Sequence, residues 1–223
     1  MDAYRVIEVK RSVFADNNAD ADRLRAELSA QGTHLVNLMS SPGAGKTTLL
    51  THLIPMLQKT LRVGVMEADI DSDVDAGTIA RTGANVIQLH TGGMCHLDAD
   101  MTRQGLAQLG AEALDLVVLE NVGNLVCPAE FDTGAHTNLM ILSVPEGHDK
   151  PLKYPLIFQV CDAMVISKTD VLPFFDFDMD KVTQYARMRN PNIEIFPVCA
   201  KTGAGMEALA AWLTARAAQK TQP

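Results

Sequence analysis

The sequence predicts an α/β fold: a mostly parallel, doubly wound sheet with helices on both faces. Three observations predict it. Short apolar runs recur along the chain, helical or loop segments separate most of them, and the polar clusters fall just after the runs. Short apolar strands alternating with helices are the pattern of a parallel sheet covered on both sides. In such sheets ligands collect at the carboxyl ends of the strands.

The elements follow in order. Asp20 to Leu28 is amphipathic and reads as a helix, so residues 1–32 are expected to form a helical extension packed on a main domain, 33–223. Thr33 to Met39 is a buried strand, followed by a Gly-rich turn and a helical run from Lys46 to about Gln58. The runs RVGVMEA, ANVIQLH, ALDLVVLENV, NLMILSV, AMVIS and EIFPVC are further strands, and Gly203 leads into a last helix, Met206 to about Ala218.

Composition bounds the function. The chain has 223 residues, 47% hydrophobic and 21% charged, which suits one globular α/β domain rather than a disordered chain. The net charge of -8, without a block of Lys and Arg, argues against nucleic acid as a partner. The amino-terminal segment lacks a signal-peptide run and no segment reaches membrane-spanning length, so a cytoplasmic protein is expected. Its four cysteines are then expected as thiols or metal ligands.

Ser40 to Thr48, SSPGAGKTT, follows a strand and opens a helix, the context a phosphate-binding P-loop requires. Gly43, Ala44 and Gly45 let backbone N–H groups face phosphate oxygens, helped by the positive end of the helix. Lys46 reaches the β- and γ-phosphates, Thr47 is a Mg²⁺ ligand, and Thr48 completes the motif. The generic motif opens on Gly, and Ser40 holds that place here. After the second strand, Asp69, Asp71, Asp73 and Asp75 crowd one loop. An EF-hand is excluded, because Val74 and Ala80 stand where Gly and a bidentate Glu are needed. A switch loop whose carboxylates reach Mg²⁺ fits better, with Asp69 and Asp75 taken as ligands. Glu120 ends LDLVVLE, the place of a Mg²⁺ ligand or a group orienting attacking water. Lys46, Asp75 and Glu120 are the expected catalytic groups, and the Gly123 N–H is a candidate γ-phosphate sensor.

Ser167 to Asp170, SKTD, stands where many GTPases carry N-K-x-D. Asp170 would accept two hydrogen bonds from guanine that adenine cannot offer, and the Lys168 stem packs on the base. Cys199 to Gly203 resembles a second base-contacting loop, with Ala200 and Lys201 in it. Together these favour GTP over ATP. Cys95 and His96 sit in a loop loosened by Gly92 and Gly93, and Cys127 follows Gly123. Two thiolates and an imidazole suit Ni²⁺ or Zn²⁺, and a fourth ligand would come from water or a second copy. Cys161 and Cys199 read as core thiols, His136 and His148 as solvent-facing or structural, and the methionines as core filler.

The motifs SSPGAGKTTLL, EADIDSDVDA, HTGGMCHLDADM, ENVGNLVCPAEFDTG and SVPEGHDKPLKYP, in this order, resemble the HypB family, SIMIBI-class P-loop G proteins that assist nickel insertion into [NiFe] hydrogenase. The resemblance runs from about Thr33 to the C-terminus. It implies a slow GTPase turning GTP into GDP and phosphate, Mg²⁺ as cofactor, GTP-dependent homodimerisation, and a Ni²⁺ or Zn²⁺ site of Cys95, His96 and Cys127 shared across the dimer. It also implies a role for Lys153 near the partner's nucleotide. Expected partners are a HypA-type nickel chaperone and the hydrogenase large subunit, with no nucleic acid and no membrane. The chain lacks the amino-terminal Cys-rich or His-rich nickel tracts of many relatives, since its first cysteine is Cys95. Two other readings stand beside this one: a P-loop NTPase like UreG serving another client, and a metal-binding module that does not hydrolyse GTP.

Overall fold

A computed structural model describes the backbone of residues 3–69 and 74–219, and side chains from 16 to 68 and from 76 to 219. A long helix α1 (Ala3–Gln31) leads into strand β1 (His34–Ser40), and α2 (Lys46–Leu57) follows the Gly-rich turn. Then come β2 (Val63–Asp69), α3 (Val74–Ala80), β3 (Asn85–His90), α4 (Ala99–Leu109), β4 (Leu116–Glu120) and a one-turn α5 (Cys127–Glu130). The second half runs β5 (Thr137–Ser143), α6 (Lys150–Lys153), α7 (Pro155–Val160), β6 (Ala163–Ser167), α8 (Met179–Arg189), β7 (Glu194–Pro197) and α9 (Met206–Ala218). Every expected strand is present, in the order β3-β2-β4-β1-β5-β6-β7, and all six pairings are parallel. The first helix is much longer than the Asp20–Leu28 stretch that amphipathicity marked.

Period-two alternation explains why the sheet is covered twice. On one face Val36, Leu38, Val65, Val118, Ile141 and Val165 pack against Leu49, Leu50, Leu53 and Ile54 of α2 and Leu209 and Leu213 of α9. On the other, Leu35, Met66 and Leu119 meet Leu24 and Leu28 of α1 and Leu106 and Leu109 of α4. Met140, Met164 and Ile166 meet Ile157 and Phe158 of α7 and Val182 of α8. Most methionines fill core as expected, but Met94 and Met188 stand exposed on loop and helix surfaces. Cys161 and Cys199 are buried, as read from their apolar neighbours. Gly205 has φ +76°, and a Cβ there would lie 2.1 Å from the Pro197 carbonyl oxygen, so the turn into α9 requires glycine.

A polar ladder crosses the sheet interior. Asn121 donates to Asn37 (3.0 Å) and Asn37 to Asn138 (3.0 Å), so three buried or half-buried amides satisfy one another across β4, β1 and β5. At the opposite rim from the P-loop, His34 and His136 stack with centroids 4.9 Å apart. His136 Nδ1 accepts from the Leu35 N–H (3.1 Å), and its Nε2 meets Ser29 Oγ (2.9 Å). Burial, with His136 and Arg216 nearby, lowers the His34 pKa from 6.5 to about 4. Between those values the unfolded chain takes up a proton that the folded chain refuses. His34 therefore stabilises the fold fully above pH 6.5, and that contribution drains away as the pH falls toward 4. Thermal unfolding across pH 7 to 4 should show a falling midpoint, and His34→Gln should flatten the slope.

Candidate functional site

The parallel register assembles the site. Leu38 of β1 stands opposite Glu120 of β4, so the P-loop and the turn after β4 leave the sheet side by side. Gly43 (φ +74°) and Gly45 (φ +98°) take the left-handed backbone that the phosphate turn needs. Ala44 is buried, and Lys46 opens α2, with Thr47 half-buried and Thr48 exposed on its first turn. Lys46 Nζ donates to Ser40 Oγ (3.2 Å) and lies 4.0 Å from Glu120 Oε1, a carboxylate only 1% exposed. Gly123 sits against the loop: a Cβ there would meet the Pro42 ring at 3.3 Å. Asp69 ends β2 and Asp75 lies in the first turn of α3. Their side chains, and Asp71 and Asp73 altogether, lie outside the described residues.

The loops after β6 and β7 lie against the same turn. Ser167 is buried and its hydroxyl donates to the Ala44 carbonyl (2.7 Å). Lys168 adopts φ +60°, the left-handed region, and its Nζ donates to the Gly43 carbonyl (2.7 Å). Asp170, two residues on, is exposed. The Thr169 N–H reaches the Val198 carbonyl (3.2 Å), which brings the Cys199–Gly203 loop alongside, with Ala200 half-buried and Lys201 exposed. Sequence reading did not find that Ser41 bonds Glu146. The other carboxylate oxygen of Glu146 receives the Ser143 N–H and hydroxyl, both at 2.8 Å. The S-x-x-E spacing of Ser143 and Glu146 is a capping-box signature that could have revealed it. Lys153 instead lies on the exposed side of α6 in an ion pair with Asp149 (2.6 Å).

The thiol and imidazole groups stand on the next loops of the same rim. Gly92 and Gly93 both have positive φ and bend the segment after β3, which carries Cys95 and His96 with Sγ and Nδ1 3.8 Å apart. Cys127 opens α5, and the neighbouring Cys95 thiol raises its pKa, with burial adding to the effect. His96 stacks on Phe131 (centroids 3.8 Å, 15° between planes), and burial lowers its pKa, opposed by Asp98 and Glu130. A neutral imidazole beside two thiols is a soft-to-borderline donor set, which fits Ni²⁺ or Zn²⁺ better than Mg²⁺. Among the described residues, no group of three or more such side chains is arranged to hold an ion within one chain. The structure thus brings Cys95 to both other groups without closing a three-ligand cage. His136 is half-buried and bonded within the fold; His148 Nδ1 accepts from the Asp178 N–H (3.3 Å).

A glycine-rich turn between the central strand and a helix, a carboxylate one strand over, and a loop after β6 bonded to that turn define the P-loop GTPase fold of the SIMIBI class. A family model described as "CobW/HypB/UreG, nucleotide-binding domain" matches residues 34–197. The HypB hydrogenase maturation factor of Azotobacter vinelandii is 44% identical over 94% of this chain and 69% of its own length. The chain belongs to the CobW/HypB/UreG family and, within it, to the HypB hydrogenase maturation factors. Two solved structures agree. HypB from Helicobacter pylori, in complex with nickel, superposes with a TM-score of 0.85 at 35% identity, covering 93% of this chain and 98% of that one. The maturation factor from Archaeoglobus fulgidus gives 0.84 at 35%, covering 91% and 99%.

The Ser167 hydroxyl is a buried tie between β6 and the P-loop. Ser167→Ala leaves the Ala44 carbonyl without that donor and should cost about 1–2 kcal/mol in urea unfolding.

Proposed function

We propose that this chain is a GTP-hydrolysing metallochaperone that assists nickel insertion into [NiFe] hydrogenase, dimerises when it binds nucleotide, and handles the metal through Cys95, His96 and Cys127. One observation carries the proposal. Glu120, beside the P-loop lysine, and Cys127, beside Cys95, bracket the same short segment leaving β4. Nickel bound to the related Helicobacter pylori protein supports the choice of metal.

In this reading the N–H groups of Gly43 to Thr48 and the Lys46 ammonium hold the triphosphate, and Asp170 selects guanine while the Lys168 stem flanks the base. Ala200 and Lys201 complete the base pocket. The oxygens of Thr47 and Glu120, with Asp69 and Asp75, are hard donors of the kind that would hold Mg²⁺, and Glu120 stands beside the Lys46 ammonium at the end of β4. Bound Mg²⁺ supplies charge neutralisation at the β- and γ-phosphates. Glu120 and Asp75 orient the attacking water, and the Gly123 N–H senses the γ-phosphate. Slow turnover is expected without an arginine finger. Nickel is cargo. Three ligands leave a tetrahedral ion one short, and a second copy of the chain offers the remainder, with Lys153 approaching the partner's nucleotide. The other members of the pathway are a HypA-type nickel chaperone and the hydrogenase large subunit, in the cytoplasm. No helix among the described residues is long and apolar enough to cross a membrane.

Separate titrations with GTP and with Ni²⁺ test the two pockets. Asp170→Ala should weaken GTP binding by about a hundredfold, on the order of 3 kcal/mol for a lost pair of base hydrogen bonds to a carboxylate. It should leave Ni²⁺ binding near wild type. Cys95→Ala should do the reverse. Loss of both functions in either variant, in a folded protein, would count against two distinct pockets. Gel filtration with GDP or a non-hydrolysable GTP analogue tests the dimer: equal mass in both states removes nucleotide control.

A further inference from the structure

One side chain of helix α1 bonds both thiol-bearing segments at once. Asn17 Oδ1 accepts from the Ala99 N–H (3.0 Å), and Asn17 Nδ2 donates to the Asp132 carbonyl (3.0 Å). Ala99 is the first residue of α4, just beyond His96. Asp132 follows Phe131, on whose ring His96 stacks, just beyond Cys127.

Each of these partners is itself fixed. Asp98 caps α4 by accepting from the Met101 N–H (2.9 Å), which leaves the Ala99 N–H for Asn17. The Asp132 carboxylate receives the Gly134 N–H (2.9 Å) and both oxygens meet one guanidinium nitrogen of Arg25 on α1 (2.8 Å each). Arg25 Nε adds a bond to the Ala135 carbonyl (2.9 Å). The lower part of α1 is anchored in the core by Leu24 and Leu28. An amide carries its acceptor and its donor on two separate atoms, so it can bridge a helix N–H and a loop carbonyl.

We infer that Asn17 is a positioning residue for the soft-metal site, setting the separation of the Cys95–His96 segment from the Cys127 segment. The inference rests on the metal reading given above. Without the bridge, the segments still meet through the His96–Phe131 stack and the neighbouring thiols, and α1 still holds them separately through Arg25–Asp132 and Glu27–Arg103; what is lost is the amide that bonds both at once. The ligand spread then becomes part of the cost of binding. The bridge itself touches no P-loop residue: its two partners are the Ala99 N–H and the Asp132 carbonyl.

The test titrates the full-length, GDP-bound protein with Ni²⁺ alone, following affinity and the absorption of thiolate-to-nickel charge transfer. Asn17→Ala should weaken Ni²⁺ binding about tenfold and lower the charge-transfer intensity per bound ion, with GDP affinity within twofold of wild type. Asn17→Asp separates bridging from capping. A carboxylate still accepts the Ala99 N–H and suits a helix N-terminus, but cannot donate to the Asp132 carbonyl. It should keep the thermal midpoint while losing nickel affinity as the alanine variant does, and it decides the matter should the alanine variant fail to fold. Glu27→Gln, which removes the α1 partner of Arg103 on α4, should behave as wild type. The inference is overturned by wild-type nickel binding and absorption in the folded Asn17 variants. Equal losses in Glu27→Gln would overturn it too, since helix docking alone would then suffice. Cys95→Ala distinguishes the two failures: if that variant binds nickel normally, the metal reading has failed, and this inference with it. If it loses nickel while the Asn17 variants do not, only the bridge is wrong.

Discussion

The structure depends on the parallel register of β1 with its two neighbours. Leu35 to Met39 is apolar on both faces except at Asn37, whose amide bonds Asn121 and Asn138 beside it and so ties β1 to its neighbours in one register. Its consequence is positional. With Leu38 beside Glu120 and Ser40 beside Ile141, the P-loop must leave the sheet between the turn after β4 and the end of β5. The chain winds one way from β1 to reach β2 and β3 and the other way to reach β5, β6 and β7. Neighbouring connections there part to opposite faces, and such a crevice is where α/β sheets take their ligands. Hydrophobic packing pays for an arrangement that the buried carboxylate and lysine would not produce by themselves.

Within that crevice the turn around phosphate is not a free loop. Ser41 is held by Glu146, Gly43 and Ala44 by Lys168 and Ser167, and Pro42 is packed against Gly123. Three strands therefore hold one turn. The left-handed backbone at Lys168 costs of order 1–2 kcal/mol for a residue with a Cβ, and a charged bond to a backbone carbonyl offsets a cost of that size. Substituting Ser for the usual Asn also becomes intelligible. The small hydroxyl reaches the Ala44 carbonyl from a buried strand end, so position 167 contributes through the P-loop backbone.

Much of this was legible in the residues. The seven strands follow from apolar runs that needed no tertiary help, and SSPGAGKTT, SKTD and the Cys95–His96 loop each fell at a strand end where the structure has them. What was not legible depends on approach between distant segments. Nothing local in α1 marks Asn17 or Arg25 as partners of Asp132, because their spacing along the chain exceeds a hundred residues. The amphipathic stretch Asp20–Leu28 coincides with the buried Ala21, Leu24 and Leu28 among the described side chains of α1. The Asn37–Asn121–Asn138 ladder hides in runs that read as purely apolar strands. Buried amides are tolerated there only because three strands bring them together.

The same topology bears on how two pockets could communicate. Glu120 belongs to the buried end of β4, next to Lys46, and Cys127 begins α5, next to Cys95. The intervening turn carries Gly123 against Pro42 and Asn121 in the amide ladder, so it is gripped at its first half and less so beyond Leu125, where Val126 is exposed. A shift of Gly123 toward a γ-phosphate would therefore be transmitted mostly to the Cys127 end. On the proposed reading that makes nickel affinity and nucleotide state two faces of one coupling free energy, equal in both directions. Helix α1 sets the limit of the movement. It holds the chain again at Asp132, so the segment free to respond is the short stretch between two fixed points. Displacement confined to so few residues favours a change in ligand distance over a large domain motion.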